Sequence, residues 1–291
     1  MTQLQRHDLK FLARFLHEQA ALVVDEDKDY LIQARLLPVV RKQELGSMAD
    51  LVAKLRANPY SELGRQVVEA MTTNETLFFR DRHPFETLRK YIIPELITRN
   101  AESRRLDIWS AACSSGQELY TVAMEIRRHF PDLCRGWKLN LLGSDIDTAV
   151  LEQARQGTFN QVEVNRGLPA QLLIKYFHRR GAKWEIDDAF KRMVEFRQIN
   201  LAKPWPYLPK MDVILLRNVL IYFDDATREA IMRRAHQLLR EDGYLMLGGC
   251  ETAIKVDGAW RVEKFGPTVV YRPQRPSQSA SRRAAAVTAF K

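Results

Sequence analysis

"LDIWSAACSSGQELYT", residues 106–121, is an apolar run, a loop of small residues and the opening of a helix. A strand that passes through a tight loop into a helix is the repeating unit of a parallel sheet covered by helices. Two more such units follow. LNLLGSDI, residues 139–146, leads into DTAVLEQARQ, and MDVILLRNVL, residues 211–220, leads into DDATREAIMRRAHQLL before a last apolar run, GYLMLGG. From about residue 104 this rhythm predicts an α/β domain with a mostly parallel sheet. The segment AWRVEKFGPTVVYRP reads instead as a hairpin turning at Gly266-Pro267, which adds an antiparallel end. Residues 158–203 also break the rhythm. There KWEI and MVEFRQI are short alternating runs, and they predict a small antiparallel β-subdomain inserted into the α/β domain.

The first 70 residues are helical in pattern. QRHDLKFLARFLHEQAAL sets Leu9, Leu12, Phe15, Leu16 and Ala20 at spacings of three and four, one apolar stripe. KDYLIQARLLPVVRKQEL and SMADLVAKLRA repeat it, with Ser47 as an N-cap and with Pro38 expected to kink or end its helix near Leu37. The organisation expected is an all-α bundle over 1–70, a linker over 71–103, the α/β domain over 104–272 and a disordered tail over 273–291. That tail is rich in Ser, Ala, Arg and Pro.

The formal net charge is +9, which raises the question of nucleic acid. Residues 272–291 hold five basic side chains and no acid, and residues 1–70 hold ten of each sign, so the body of the chain is only mildly basic. No stretch approaches the roughly 18–20 apolar residues that span a bilayer, and the polar start lacks the apolar core of a signal peptide. A cytoplasmic protein is expected. Cys113, Cys134 and Cys250 match neither a zinc site nor a disulfide framework, so free thiols and no metal are expected.

In an open α/β sheet, ligands bind beyond the carboxyl ends of the strands. SAACSSGQE, after the first strand, lacks the three glycines of a dinucleotide loop, and Glu118 at the helix opening would repel a phosphate. Asp145 ends the second strand, where such folds set an acid against ribose hydroxyls, while Asp147 reads as a helix N-cap. Small residues plus this acid suit a nucleoside without phosphates, a description that S-adenosylmethionine fits. Arg217 and Asn218 are polar at the end of MDVILL, Tyr222 follows, and Asn200-Leu201 follow VEFRQI, where an amide can read an adenine edge. MTTNETLFFRD, residues 71–81, taken alone, reads as a cap and a helix start.

TTNETLFFRD, WSAACSSGQELYT, GSDID, FRQINL, RNVLIYFD and GYLMLGGCE occur in the order found in the CheR family, the chemotaxis-receptor glutamate O-methyltransferases, which the chain resembles over about residues 5–272. Leu77 stands where the family usually has a phenylalanine, and Gly116 to Thr121 read G-Q-E-L-Y-T where the family loop often reads G-E-E-P-Y-S. The resemblance implies a class I, Rossmann-like methyltransferase domain with an inserted β-subdomain, an N-terminal helical domain and S-adenosylmethionine as cofactor, with S-adenosylhomocysteine as its product. It further implies that Asn74, Thr76 and Arg80 reach the cofactor from the linker, Arg80 near its carboxylate. Glu118 and Asp145 are expected on the amino-group or ribose side, and Asn200, Leu201, Arg217 and Asn218 are expected to complete the pocket. Arg80 and Tyr222 are expected to orient cofactor and substrate.

The substrate implied is a glutamate carboxylate on a receptor's helical cytoplasmic domain, docked on the N-terminal bundle near Lys10, Arg14, Arg35, Arg41 and Lys42. Many family members also hold a receptor C-terminal peptide on the β-subdomain. No nucleic acid and no membrane insertion are expected, and a monomer is the simpler assumption. Two other readings compete: a methyltransferase for another substrate, which would show a basic groove with stacking aromatics, and a non-enzymatic cofactor sensor or scaffold.

Overall fold

The computed structural model describes residues 4–24, 29–253 and 259–274. Most of the tail expected to be disordered, from residue 275, lies outside the described residues. Four helices open the chain: α1 Arg6–Ala20, α2 Asp29–Lys42, α3 Met48–Ala57 and α4 Glu62–Met71. Their apolar stripes close on one core, in which Leu12, Leu16, Leu36, Leu51, Leu55 and Val67 are fully buried. Ser47 caps α3 as expected, its side chain accepting from the Asp50 backbone N–H. Pro38 does not end α2, which runs on to Lys42. Val39 and Val40, just beyond the proline, continue the stripe of Ile32 and Leu36 into the bundle core, and that burial outweighs the one backbone hydrogen bond the proline removes.

The linker has no regular secondary structure from Thr73 to Leu77 and then turns sharply. Phe79, Asp81 and Arg82 all have positive φ, so no helix starts at N-E-T; α5 begins only at His83 and ends at Thr87. The apolar run serves as an anchor. Phe78 is fully buried, edge-on to Phe159 and Phe177, and the Phe79 N–H donates to Thr121 Oγ1. A π-helical turn, Leu88–Ile92, joins α5 to α6, Ile93–Arg99.

The expected α/β alternation follows. β1 Arg105–Ala111, α7 Gln117–His129, α8 Leu133–Gly136, β2 Lys138–Asp145 and α9 Thr148–Gln156 form the first half. After the insertion come β6 Val194–Gln198, β7 Met211–Leu216, a 3-10 turn at Leu220–Tyr222, α13 Asp225–Leu238, β8 Leu239–Leu247, β9 Trp260–Phe265 and β10 Thr268–Pro273. The seven strands order as β6-β2-β1-β7-β8-β10-β9, parallel except for β10, which is antiparallel to β8 and β9. The insertion itself holds β3 Thr158–Asn160, α10 Gln161–Asn165, α11 Ala170–Tyr176, β4 Phe177–Arg180, β5 Lys183–Ile186 and α12 Asp188–Lys191, with β3, β5 and β4 in a three-stranded antiparallel sheet. KWEI belongs to it. MVEFRQI does not: Val194–Gln198 pairs parallel to β2 as the edge of the main sheet. An edge strand with one face covered alternates in burial just as a hairpin strand does, so its period alone misleads.

The bundle is fastened to the α/β domain by polar contacts at the end of α1. His17 Nε2 lies 2.6 Å from Asp224 Oδ2, Asn200 Nδ2 donates to the Gln19 carbonyl, and the Val23 N–H donates to the Tyr222 carbonyl. A second seam joins α4 to α9, where Thr148 donates to Glu69 Oε1 and accepts from Arg65. Toward the other end of the strands, buried Asp107 and Asp212 are met by Arg105 and Arg99, charge partners without which two acids in the core would be costly.

Candidate functional site

The strand order reverses at β1: β2 lies on one side of it and β7 on the other. At such a switch point the loops leaving the carboxyl ends diverge and open a crevice. A pocket enclosing about 910 Å³ of empty space, its open mouth included, occupies that place. Ala112, Cys113 and Ser114 of the loop 112–116 line it. Ala112 and Ser114 have φ of 58° and 50° and Gly116 has φ of 90°, so the backbone coils tightly with one glycine. Hydrogen bonds hold the strained positions. The Cys113 N–H donates to the Ser144 carbonyl, the Ser114 N–H to Asp145 Oδ2, and Ser114 Oγ to the Asn74 carbonyl. A glycine-poor loop is therefore possible because the neighbouring strand and the linker strap it down.

Asp145 is 7% exposed and accepts from two backbone N–H groups, Ser114 on Oδ2 and Asp147 on Oδ1. Burial pushes its carboxyl above its ordinary value, the N–H donors working against that shift. An ionised carboxylate has about four acceptor positions, so about two remain for a ligand's hydroxyls. Glu118 opens α7 and accepts from Ser110 Oγ and from Arg217 Nη1 at 2.7 Å. Cys113, also on the wall, has its thiol raised well above the ordinary range by burial and by the nearby acids, so it stays neutral.

Every residue expected at the cofactor, together with Tyr222, lines this one pocket. From the linker come Asn74, Thr76 and Arg80; Asn74 Nδ2 donates to Asp147 Oδ2, and Arg80 Nη1 donates to the Glu75 carbonyl. Arg217 is nearly buried and ties three elements together. Its guanidinium pairs with Glu118 and with Asp81 at 2.6 Å, donates to the Arg80 carbonyl and sits over the Phe85 ring. Asn218 follows in the left-handed region at φ 58°, and Tyr222 closes the 3-10 turn. Asn200 and Leu201 also line the pocket, but the Asn200 amide is engaged by the protein: Nδ2 donates to the Gln19 carbonyl and Oδ1 accepts from the Ala202 N–H.

Other contributors were not foreseen. Ala20 and Leu22, from the end of α1 and just beyond it, also line the pocket, so the bundle supplies part of its wall. Asp81 supports Arg217, and Glu251 sits behind the Asn218 turn. Asp81 and Glu251 stand inside the segments TTNETLFFRD and GYLMLGGCE, but no spacing marks them as partners of residues far away in the chain.

The pocket suits a zwitterion with a diol. It sets Glu75, Glu118 and Asp145 with Arg80 and Arg217 around a loop of small residues, and Glu118 stands where a dinucleotide fold binds pyrophosphate. S-adenosylmethionine, with its amino and carboxylate groups and its ribose hydroxyls, fits these residues.

Two family models match the chain: "CheR methyltransferase, all-alpha domain" over residues 7–72 and "CheR methyltransferase, SAM binding domain" over residues 74–266. The chain is 37% identical over 263 residues to the chemotaxis protein methyltransferase Cher2 of Pseudomonas putida, covering 89% of this chain and 94% of that protein. It is 36% identical over 270 residues to chemotaxis protein methyltransferase 1 of Pseudomonas aeruginosa, covering 91% and 97%. Chemotaxis protein methyltransferase 1 of Vibrio cholerae is 35% identical over 263 residues, covering 89% and 94%. With both domain models matched in order across most of its length, the chain belongs to the CheR family of S-adenosylmethionine-dependent chemotaxis methyltransferases.

Proposed function

We propose that the enzyme methylates specific glutamate side-chain carboxylates on the cytoplasmic helices of chemoreceptors, giving glutamate methyl esters. The observation that carries this reading is the make-up of the pocket wall, which among the described residues has acids, arginines and a tyrosine and neither histidine nor lysine. A glutamate carboxylate is ionised at neutral pH and needs no general base. Bound S-adenosylmethionine supplies an electrophilic methyl group on its sulfonium. The protein's task is then alignment, which by itself is worth roughly 7–11 kcal/mol when reactants are held in line.

In this reading Asp145 takes the ribose hydroxyls, Glu118 the amino group and Arg80 the carboxylate of the cofactor. Asn74, Thr76, Leu201 and Asn218 shape the walls. Arg217 holds Glu118 and the Arg80 backbone in place. Asn200 acts by fixing the end of α1 against the pocket. Tyr222, whose hydroxyl has no partner among the described residues, orients the incoming carboxylate. Tyr222→Phe is expected to lower turnover about tenfold or less, the worth of one hydrogen bond, with cofactor affinity unchanged. Calorimetric titration beside a methyl-transfer assay reads both, and a parallel fall in affinity would contradict this role.

The receptor helices dock on the exposed basic side chains Lys10, Arg14, Arg41 and Lys42 of the bundle. Arg35, expected among them, is removed from that face: its guanidinium donates to the Met71 and Thr72 carbonyls and to Thr73 Oγ1, pinning α2 to the linker. A receptor C-terminal peptide would extend the insertion sheet at β4, an outer strand of that sheet. The protein acts as a cytoplasmic monomer. No helix among the described residues is long and apolar enough to cross a membrane. The deciding experiment transfers labelled methyl groups from S-adenosylmethionine to receptor cytoplasmic fragments. Base-labile release of labelled methanol is expected; cofactor binding with no label on any fragment would favour a sensor.

A further inference from the structure

Behind the pocket wall, Glu251 folds back onto the backbone it faces. Its Oε2 accepts from the N–H groups of Asn218 at 2.7 Å and Gly248 at 2.8 Å, and its Oε1 accepts from Val219 at 2.9 Å and Leu220 at 2.7 Å. Each carboxylate oxygen has two lone-pair directions, and all four are used. The Glu251 N–H in turn donates to the Gly248 carbonyl, closing a small ring. Space around the ring is tight. A Cβ on Gly248 would lie 2.6 Å from Asn218 Nδ2 and 2.7 Å from Glu251 Oε2.

The amides held in this way are those of the turn that carries the reacting end of the pocket. Asn218 is left-handed, and the 3-10 turn Leu220–Tyr222 follows immediately. Arg217, just upstream, is held separately by Glu118 and Asp81. Tyr222 has no comparable anchor for its side chain; its carbonyl accepts from the Val23 N–H of the bundle, and its ring is placed by the turn. The purine and ribose side of the pocket, at Asp145 and the 112–116 loop, is strapped by other bonds.

We infer that Glu251 is a positioning residue for methyl transfer, whose carboxylate fixes the 218–222 turn and so sets where the Tyr222 hydroxyl stands. The inference rests on the reading of Tyr222 as the group that orients the substrate carboxylate. A glutamine at 251 would keep one acceptor oxygen and turn an NH2 group toward two N–H donors, so half of the cradle becomes repulsive. An aspartate would keep the charge but fall short by one methylene.

The test uses the full chain with Glu251→Gln, Tyr222→Phe and the double variant, S-adenosylhomocysteine as the binding probe and a receptor cytoplasmic fragment as methyl acceptor. Hydrogen exchange over residues 217–223 reads the turn directly, with no acceptor needed. Glu251→Gln is expected to speed exchange there and at Gly248, whose N–H the same carboxylate holds, and not elsewhere, and to lower turnover at saturating cofactor about tenfold, as a misplaced reacting group does, with binding of the probe within about twofold. In the double variant turnover is expected to be no lower than in Tyr222→Phe. Should Glu251→Gln prove unstable, Gly248→Ala crowds the same carboxylate and is expected to show the same exchange signature.

Unchanged exchange over 217–223 would overturn the inference, as would a turnover loss that multiplies in full with that of Tyr222→Phe. Equal losses of probe binding and turnover would also overturn it, leaving Glu251 a merely structural support. Wild-type turnover in Tyr222→Phe would overturn the tyrosine's role and this inference with it. A slow Tyr222→Phe beside a Glu251→Gln of wild-type rate would overturn the role of Glu251 alone.

Discussion

Arg217→Ala is expected to lose both cofactor binding and a large part of the protein's stability. The Arg217 side chain is 1% exposed and its two partners lie on different elements, Glu118 on α7 and Asp81 in the linker. Removing Arg217 leaves Glu118, whose side chain is 13% exposed, charged and largely dehydrated, at a cost toward the about 3–5 kcal/mol that breaking a buried pair carries, whereas the half-exposed Asp81 is taken up by water. Glu118 would keep only Ser110 Oγ, and the Arg80 carbonyl and the face of Phe85 would lose their donor and cation. With Glu118 and Arg80 no longer held, the two charged contacts proposed to the cofactor weaken together, and affinity is expected to fall on the order of a hundredfold. Arg217→Lys should recover part of the stability but little of the affinity, because an ammonium cannot bridge Glu118, Asp81 and the Arg80 carbonyl as a planar fork does. Denaturant unfolding and calorimetric titration of both variants check this. Wild-type unfolding of Arg217→Ala would show that the Arg217 ion pairs are not what joins the linker to the sheet.

How much of the fold and the site was legible in the sequence varies with how local the cause is. The strand-loop-helix units could be read because β1, β2 and β7 are each rich in apolar residues and each is followed by a helical pattern, and the hairpin because Gly266-Pro267 marks its turn. Pro38 misled because local backbone preference pointed one way and burial of Val39 and Val40 the other, and burial is the stronger of the two. Val194–Gln198 misled because alternation describes a half-covered strand without naming its partner, here β2, about fifty residues away. The N-E-T segment misled for a related reason: Phe78 is drawn into the insertion's aromatic cluster, and the backbone beyond it takes left-handed turns.

The pocket residues were legible because each sits at a strand end or in one linker block, places where side chains converge whatever the details. Glu251 and Arg35 were not. Each acts on backbone groups more than thirty residues away, and such a bond leaves no period or spacing. The end of α1 as a pocket wall was equally invisible, since Ala20 and Leu22 read as ordinary apolar positions of the bundle.

Asp145→Asn is expected to separate binding from stability. The carboxylate accepts from the Ser114 and Asp147 N–H groups and is proposed to take both ribose hydroxyls on its remaining positions. Hydrogen bonds to a charged acceptor are worth about 1.5–3 kcal/mol each, so a neutral amide with one acceptor oxygen should bind the cofactor on the order of a hundredfold more weakly. Stability should move little. Burial raises the folded-state pKa of Asp145 above its ordinary value, so the charged form is a net burden on the fold at neutral pH, relieved as pH falls through the raised pKa. Asparagine removes that burden but turns its NH2 group toward one of the two backbone N–H donors, effects of opposite sign, so the change in stability should be smaller than the loss of binding energy. The same shift sets a pH signature. Wild-type affinity should decline on the acid side at a higher pH than an ordinary aspartate would impose, because protonation removes acceptor capacity, whereas the asparagine variant has no such group to titrate and should be flat across that window. Titration calorimetry over the acid range, beside unfolding curves for both proteins, distinguishes the cases. A variant whose stability falls as far as its affinity would show that Asp145 serves the 112–116 loop rather than the cofactor.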